Sequence, residues 1–274
     1  MIYKKQFTNP CESTFYIFGD THGIADIEKV FLIDESYKQN DFIIICGDFG
    51  VIWSDEVDSN ESILIKELKK LPCEILFIDG NHENFNRLAK LKNIKRFGGN
   101  VGEYIKDKCY HLKRGEIYNI AGKNIFTMGG AKSIDVAYRE RNVSWWEAEN
   151  ITESQMKYAL QNLANFKSNI DIVITHTCPN SFLAHIDKHL GLEVQINDNN
   201  SVWLELLAQK LALRQSGTIE WFFGHWHSDF DFNIKIQNEL DLSKTLQINA
   251  HLLYGEIYCL KNECESKRTK LIIK

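Results

Sequence analysis

Five short segments carry side chains suited to gripping divalent metal ions. They are Gly19-Asp20-Thr21-His22-Gly23, Gly47-Asp48-Phe49-Gly50, Gly80-Asn81-His82-Glu83, Thr175-His176 and Gly224-His225-Trp226-His227. Asp20, His22, Asp48, Asn81, His176, His225 and His227 offer carboxylate, imidazole and one amide oxygen, and no thiolate. Such a set suits hard to borderline divalent cations. Two ions about 3.5–4 Å apart need a shared ligand, and an aspartate with two oxygens serves; Asp48 is the candidate. A pair of this kind clamps a phosphate, lowers the pKa of a bridging water and neutralises charge on the phosphoryl oxygens. Asp20 and His22 lie one residue apart, as do His225 and His227. Continued strand geometry would send both members of each pair to one side. Taken singly, Asp20 and Asp48 also read as helix N-caps, Asn81 as a turn residue and His176 as a core histidine. Five such segments in one chain favour the metal reading.

Each segment follows a short apolar run. STFYIF (13–18), DFIIIC (41–46), CEILFID (73–79), DIVIT (171–175) and TIEWFF (218–223) read as strands. The donor segments stand at their carboxyl ends, where open α/β sheets gather ligands. Helical spacing over 24–37 and 62–71 predicts a parallel β-α-β-α-β unit with crossover helices. Residues 115–130 read as a hairpin turning at Ala121-Gly122-Lys123-Asn124, and helices are predicted at 154–166 and 202–213. The last forty residues alternate like antiparallel strands. The expected class is α/β, with two sheets packed face to face.

Composition sets outer limits. A 44% hydrophobic share with 25% charged residues is that of a soluble globular protein. No apolar run approaches the ~18–20 residues that cross a bilayer, and no leader is read at residues 1–13. The seven cysteines are odd in number, scattered and free of CxxC pairs, which fits reduced thiols in the cytoplasm. Three prolines and no linker or repeat predict one domain over residues 1–274. A net charge of −5 predicts no general affinity for nucleic acid or anionic membrane. Residues 87–114 nevertheless hold nine lysines and arginines against two acids. That stretch reads either as solvated helix and loop surface or as a cationic wall steering a phosphorylated substrate.

In the order DxH, GD, GNH[DE], a strand ending in histidine, and GHxH, the motifs resemble those of the calcineurin-like metallophosphoesterases, from Ser13 to about Ser228. The resemblance implies two mixed β-sheets packed as a sandwich flanked by helices, with a dinuclear centre at one edge. It implies a first metal on Asp20, His22 and His227, a second on Asn81, His176 and His225, and Asp48 bridging. His82 would contact the phosphate and protonate the leaving oxygen. The activity implied is hydrolysis of a phosphomonoester or phosphodiester by metal-activated hydroxide, with two Mn²⁺ ions or with Fe, Zn or Ni. Protein phosphatases of this superfamily extend the second motif to GDxxDRG, but this chain reads Gly47-Asp48-Phe49-Gly50-Val51-Ile52-Trp53. Lariat-debranching relatives lose the first aspartate, which stands here as Asp20.

The segment from Gly129 to Asn150 resembles bacterial-type members of the superfamily. It contains Arg139, Arg141, Trp145 and Trp146, read as substrate contacts by arginine forks and stacking faces, or else as a loop packed on the core. The expected partner is a phosphorylated small molecule, a nucleotide or nucleic acid, with no membrane partner. A nuclease or cyclic-nucleotide phosphodiesterase is the alternative activity, and a non-catalytic scaffold the alternative class. His185 and His189, four apart, share a helix face if that region is helical, and His111 and His251 have no motif context.

Overall fold

Short runs of isoleucine, valine and phenylalanine make central strands because both of their faces are covered. The computed structural model describes residues 13–191, 198–261 and 267–270. The leader reading at the N-terminus and the end of the basic tail, 271–274, lie outside them.

The chain first lays down β1 (Thr14–Phe18), β2 (Phe42–Ile45), β3 (Glu74–Phe77), β4 (Lys92–Arg96), β5 (Gly99–Ile105) and β6 (Cys109–Leu112). A second sheet takes β7 (Ile117–Ile120), β8 (Lys123–Met128), β9 (Ile172–Thr175), β10 (Gly217–Phe223), β11 (Phe230–Gln237) and β12 (Thr245–Leu252). The chain then returns to the first sheet with β13 (Glu256–Lys261) and β14 (Lys267–Lys270). The strand orders are β14-β13-β1-β2-β3-β6-β5-β4 and β11-β12-β10-β9-β8-β7. Both sheets are mixed, each with four parallel strands at its centre: β1, β2, β3 and β6 in one, β8, β9, β10 and β12 in the other.

The pleat divides each strand between two cores. Phe15 and Ile17 of β1 face between the sheets, with Ile44, Leu76, Ile174 and Phe222. Their neighbours Phe18, Ile43, Ile45 and Phe77 face outward, onto Val30 of α1 (Glu28–Phe31) and Leu64 and Leu68 of α2 (Ser59–Lys70). A turn of helix, α3 (Phe85–Leu88), follows β3. On the far side α4 (Glu153–Asn165), α5 (Asn180–Leu190) and α6 (Asn199–Arg214) cover Phe126, Val173, Trp221 and Phe223. The result is the expected four-layer α/β sandwich. Cutting Ile44 back to alanine between the sheets would cost about 2–5 kcal/mol.

Four sequence expectations differ in detail. The helix expected over 24–37 is broken into 3-10 turns and the single turn α1. Its side chains serve tertiary contacts instead: Asp26 turns to His22, and Lys29 is buried to bond the Tyr254 carbonyl at 2.7 Å. The basic stretch 87–114 is largely sheet, with β4 at an edge where lysines discourage further pairing. Helix α5 stands where a polar stretch was expected. In the C-terminal part β11 is antiparallel to β12, as read, but β12 runs parallel to β10. Among the described residues no helix is long and apolar enough to cross a membrane.

Candidate metal centre

The carboxyl ends of β1, β2, β3, β9 and β10 meet at one edge of the sandwich. His22 N donates to the Asp48 carbonyl at 2.8 Å, and His225 N, from the other sheet, to Asp20 Oδ1 at 2.9 Å. All seven donors named from the sequence, and His82, come together there. Donor atoms of Asp20, His22 and His227 lie within 4.8 Å of one another, as do those of Asp20, Asp48 and His176, and of His22, Asp48 and His82. Asn81 Oδ1 is 3.1 Å from His176 Nε2, and the His225 ring centre 5.1 Å from that of His176.

Strand alternation does not bring the paired residues together. β1 and β10 stop before them, and His22, Asp48, His225 and His227 take left-handed φ values of 40°, 47°, 70° and 45°. Each such residue costs about 1–3 kcal/mol and persists only where its surroundings fix it. The turn sends His227 to Asp20 Oδ2 at 3.1 Å and leaves His225 beside His176, so the pair splits between two halves of the cluster. Glycine makes room for the carboxylates. A Cβ on Gly80 would fall on Asp48 Oδ1, and one on Gly224 on Asp20 Oδ1.

The electrostatics call for cations. Asp20 and Asp48 are fully buried, and burial alone would drive both towards the neutral acid. The neighbouring histidines outweigh it: His227 and His176 hold Asp20 below the usual range, and His176 and His22 hold Asp48 well below it. Burial likewise opposes charge on His176, yet Asp48 and Asp20 push its pKa up to about 10. His225, desolvated and facing His176, falls to about 4 and stays a neutral donor. Asp20 Oδ2 is buried without a well-aligned hydrogen bond.

The rings are already aimed. His176 Nδ1 donates to the Cys46 carbonyl at 2.8 Å, which leaves Nε2 facing Asp48 Oδ1 at 3.3 Å. His22 Nδ1 meets Asp26 Oδ2 at 2.9 Å, which leaves Nε2 facing Asp48 Oδ2 at 3.4 Å. Histidines held this way at the far nitrogen are oriented as metal ligands are. Carboxylate, imidazole and amide donors, converging around two buried carboxylates, fit divalent cations.

Of the four residues read as substrate contacts, Arg139 reaches the cluster. Its Nη2 donates to His82 Nε2 at 3.0 Å, while Asp135 holds its Nε at 2.7 Å. Burial first, then the charge of Arg139 despite the counterweight of Asp48, lowers the His82 pKa. Arg141 instead pairs with Glu147 on an exposed stretch. Trp145 is half-buried in the same loop. Trp146 is buried edge-on against Trp53, which corrects its reading as a stacking face: its ring is enclosed by the loop it anchors. Trp53 is the aromatic residue at the mouth, stacked on His82 with ring centres 5.9 Å apart. With Gly50, Asp58 and Leu64 it walls a cavity of about 250 Å³ beside His22 and His82.

Several contributors escaped the sequence reading. The Tyr254 ring stacks on His227 at 4.7 Å and 12°, and its hydroxyl lies 3.3 Å from Asp26 Oδ2. Buried Glu83 accepts from Phe49 N at 2.7 Å and so ties the second loop to the third. The third motif, GNH[DE], contains Glu83 without giving it a role. His111 and Arg114 both bind buried Asp79, and together they outweigh burial to hold that carboxylate below its usual range. His185 and His189 do share a face of α5, but they stack on Phe232 and Phe230 and, among the described residues, join none of the donor groups. Part of the cationic wall is spent internally: Arg87 pairs with Glu61, Arg96 with Glu74, and Arg114 is buried, while Lys90, Lys95 and Lys106 stay exposed.

Comparison with known proteins agrees with this arrangement at the level of the family. One solved crystal structure aligns over 94% of this chain and 98% of its own, at 11% identity and a TM-score of 0.47. A sulfate thiohydrolase SoxB from Termus thermophilus, in complex with glycerol, aligns over 94% of this chain and 56% of its own, at 9% identity and a TM-score of 0.43. No curated protein matches the chain significantly. The family profile of the calcineurin-like phosphoesterases matches residues 13–229, a span holding all five donor segments, and the chain belongs to that family.

Proposed function

We propose that this chain hydrolyses a small phosphoester with two divalent ions, one held by Asp20, His22 and His227 and the other by Asn81, His176 and His225. The observation that carries this reading is the placement of Asp48. Its Oδ2 faces His22 and its Oδ1 faces His176, so one carboxylate addresses both halves. When bound, the ions supply Lewis-acid charge for the phosphoryl oxygens and lower the pKa of the hydrolytic water.

The protein's own groups do the rest. Arg139, steadied by Asp135, offers its guanidinium to a phosphate oxygen and takes the part of the arginine missing from the second motif. His82, beside it, contacts the same phosphate, whose charge favours the imidazolium. The attacking water gives up one proton to solvent; as its oxygen bonds to phosphorus, the ester P–O bond breaks and the His82 imidazolium gives its proton to the departing oxygen, to be reprotonated from solvent. The cavity walled by Trp53 receives the leaving group. O and N donors accept Mn²⁺ and equally Fe, Zn or Ni. The pairing of Arg87 and Arg96 with carboxylates favours a small substrate over a polynucleotide, and the buried thiols Cys46, Cys73, Cys109 and Cys178 suit the cytoplasm.

The test is turnover of p-nitrophenyl phosphate and its bis-ester by Mn²⁺-loaded protein. Hydrolysis of one or both is expected. Protein that holds two ions and turns over neither is a scaffold, and the reading is wrong. Activity on RNA that collapses with added salt would instead favour the nuclease.

A further inference from the structure

We infer that Ser133 and Glu149 decide which end of the Asn81 amide faces the metals. The inference rests on the proposed role of Asn81 as an oxygen ligand. An asparagine amide presents either its oxygen or its NH₂, and only the oxygen binds a cation. Here the choice is made on the side away from the cluster.

Asn81 Nδ2 donates to Ser133 Oγ at 3.2 Å. Ser133 in turn gives both of its protons to Glu149: its backbone N–H to Oε1 and its hydroxyl to Oε2, each at 2.8 Å. All three residues are buried, so water does not compete. Burial raises the Glu149 pKa and the two donations from Ser133 oppose it; in its ionised form the carboxylate only accepts, so the hydroxyl proton points at Glu149 and Ser133 Oγ has only lone pairs for Asn81. A flipped amide would set Oδ1 against those lone pairs in a dry site. Asn81 Oδ1 therefore faces His176 Nε2 and the cluster.

Glu149 is itself fixed. The Arg114 guanidinium binds the carbonyls of Ala148, Glu149 and Asn150, and its Nε binds Asp79 at the end of β3. Ser133 and Glu149 are positioning residues that never touch the substrate.

Glu149→Gln tests the polarity while keeping the shape. The introduced side chain has one acceptor oxygen, and the Ser133 backbone N–H, which can only donate, claims it. The amide nitrogen must then donate to Ser133 Oγ, which turns the hydroxyl proton towards position 81 and flips the asparagine. Affinity for the second Mn²⁺ should fall about 10–100-fold, with little change in melting temperature. Ser133→Ala, which removes the acceptor without reversing it, should weaken that ion less. Asn81→Asp alone sets a carboxylate against the Oγ lone pairs and should also bind less well than wild type. Combined as N81D/E149Q, the two changes move the negative charge from 149 to 81. The hydroxyl then donates to the new carboxylate, whose other oxygen meets the metal, and binding of the second Mn²⁺ should recover relative to E149Q. The readouts are Mn²⁺ content by elemental analysis and affinity by calorimetry. Wild-type affinity in E149Q, or no recovery in the double variant, would overturn the inference. Wild-type protein that takes up no Mn²⁺ would overturn the ligand reading and this inference with it.

Discussion

The Asn81–His176–His225 half of the cluster and the Asp20–His22–His227 half share Asp48 but are held differently. In the first half, His176 is fully buried and pinned by a backbone carbonyl, and Asn81 is fixed by the buried Ser133–Glu149 pair. In the second, the His227 side chain is 50% exposed, and its support is a stacked tyrosine ring. His22 leans on Asp26, itself partly open to solvent. A closed half preorganises donors before any ion or substrate arrives, because its partners have no water to exchange with. An open half gives a substrate room to enter, and its donors are correspondingly less constrained.

Asp48→Asn removes what the halves share. Both ions should leave, and hydrolysis should fall by at least about 10³-fold, since metal charge supplies several kcal/mol of the barrier reduction. Two ions retained with near-normal turnover would show that the halves are independent.

His176→Ala and His227→Ala separate the halves. Each should lose at least about 100-fold in affinity for one ion, the upper end of what outer partners cost. Added imidazole should restore part of the H227A activity, because that position opens to solvent, and none of the H176A activity. Equal rescue of both would erase the distinction between closed and open.

Smaller effects probe the support of the open half. Tyr254→Ala should weaken one Mn²⁺ about 10-fold, and Tyr254→Phe less, since it keeps the ring over His227 and loses only the contact with Asp26. Calorimetric titration of Mn²⁺ measures both.

His251 provides a buried histidine outside the cluster. Burial opposes its charge, but Asp231 at one nitrogen and Glu220 at the other outweigh it and raise its pKa. Because the folded value lies above the unfolded one, its contribution is complete below the unfolded pKa, ~6.5, and is lost as pH rises through the folded value. His251→Asn should therefore cost about 1–3 kcal/mol in acid and progressively less in alkali, with hydrolysis little changed. Melting temperature against pH reads this out, and a loss that grew towards alkaline pH would reverse the assignment.

The metal donors were legible because each follows an apolar run in a short motif. Helix α2 was legible because Leu64 and Leu68 repeat at helical spacing, but its start at Ser59, where Asp58 caps it by accepting from Glu61 N, lies ahead of the expected 62. Strands β4 to β6 were hidden because an edge strand carries lysines, which read as solvated surface until its partners are known. Helix α5 had apolar residues at helical spacing, Phe182, Leu183 and Ile186, among polar neighbours that masked them. Ser133, Glu149 and Tyr254 sit in no motif, and Ser133 is 52 residues from the asparagine it binds.

The sequence by itself determined which atoms can bind metal, because a carboxylate or an imidazole brings its donor chemistry to any fold. It also determined the strands that carry them, because apolar runs of that length bury as strands wherever both faces can be covered. Only the tertiary structure decided where the donors point. Left-handed turns, not strand alternation, aim His22, Asp48, His225 and His227. Contacts such as the one from His225 N to Asp20, 205 residues away, then join the two sheets into one cluster. Orientation is set by what lies on the far side of each ligand, and those partners come from distant parts of the chain.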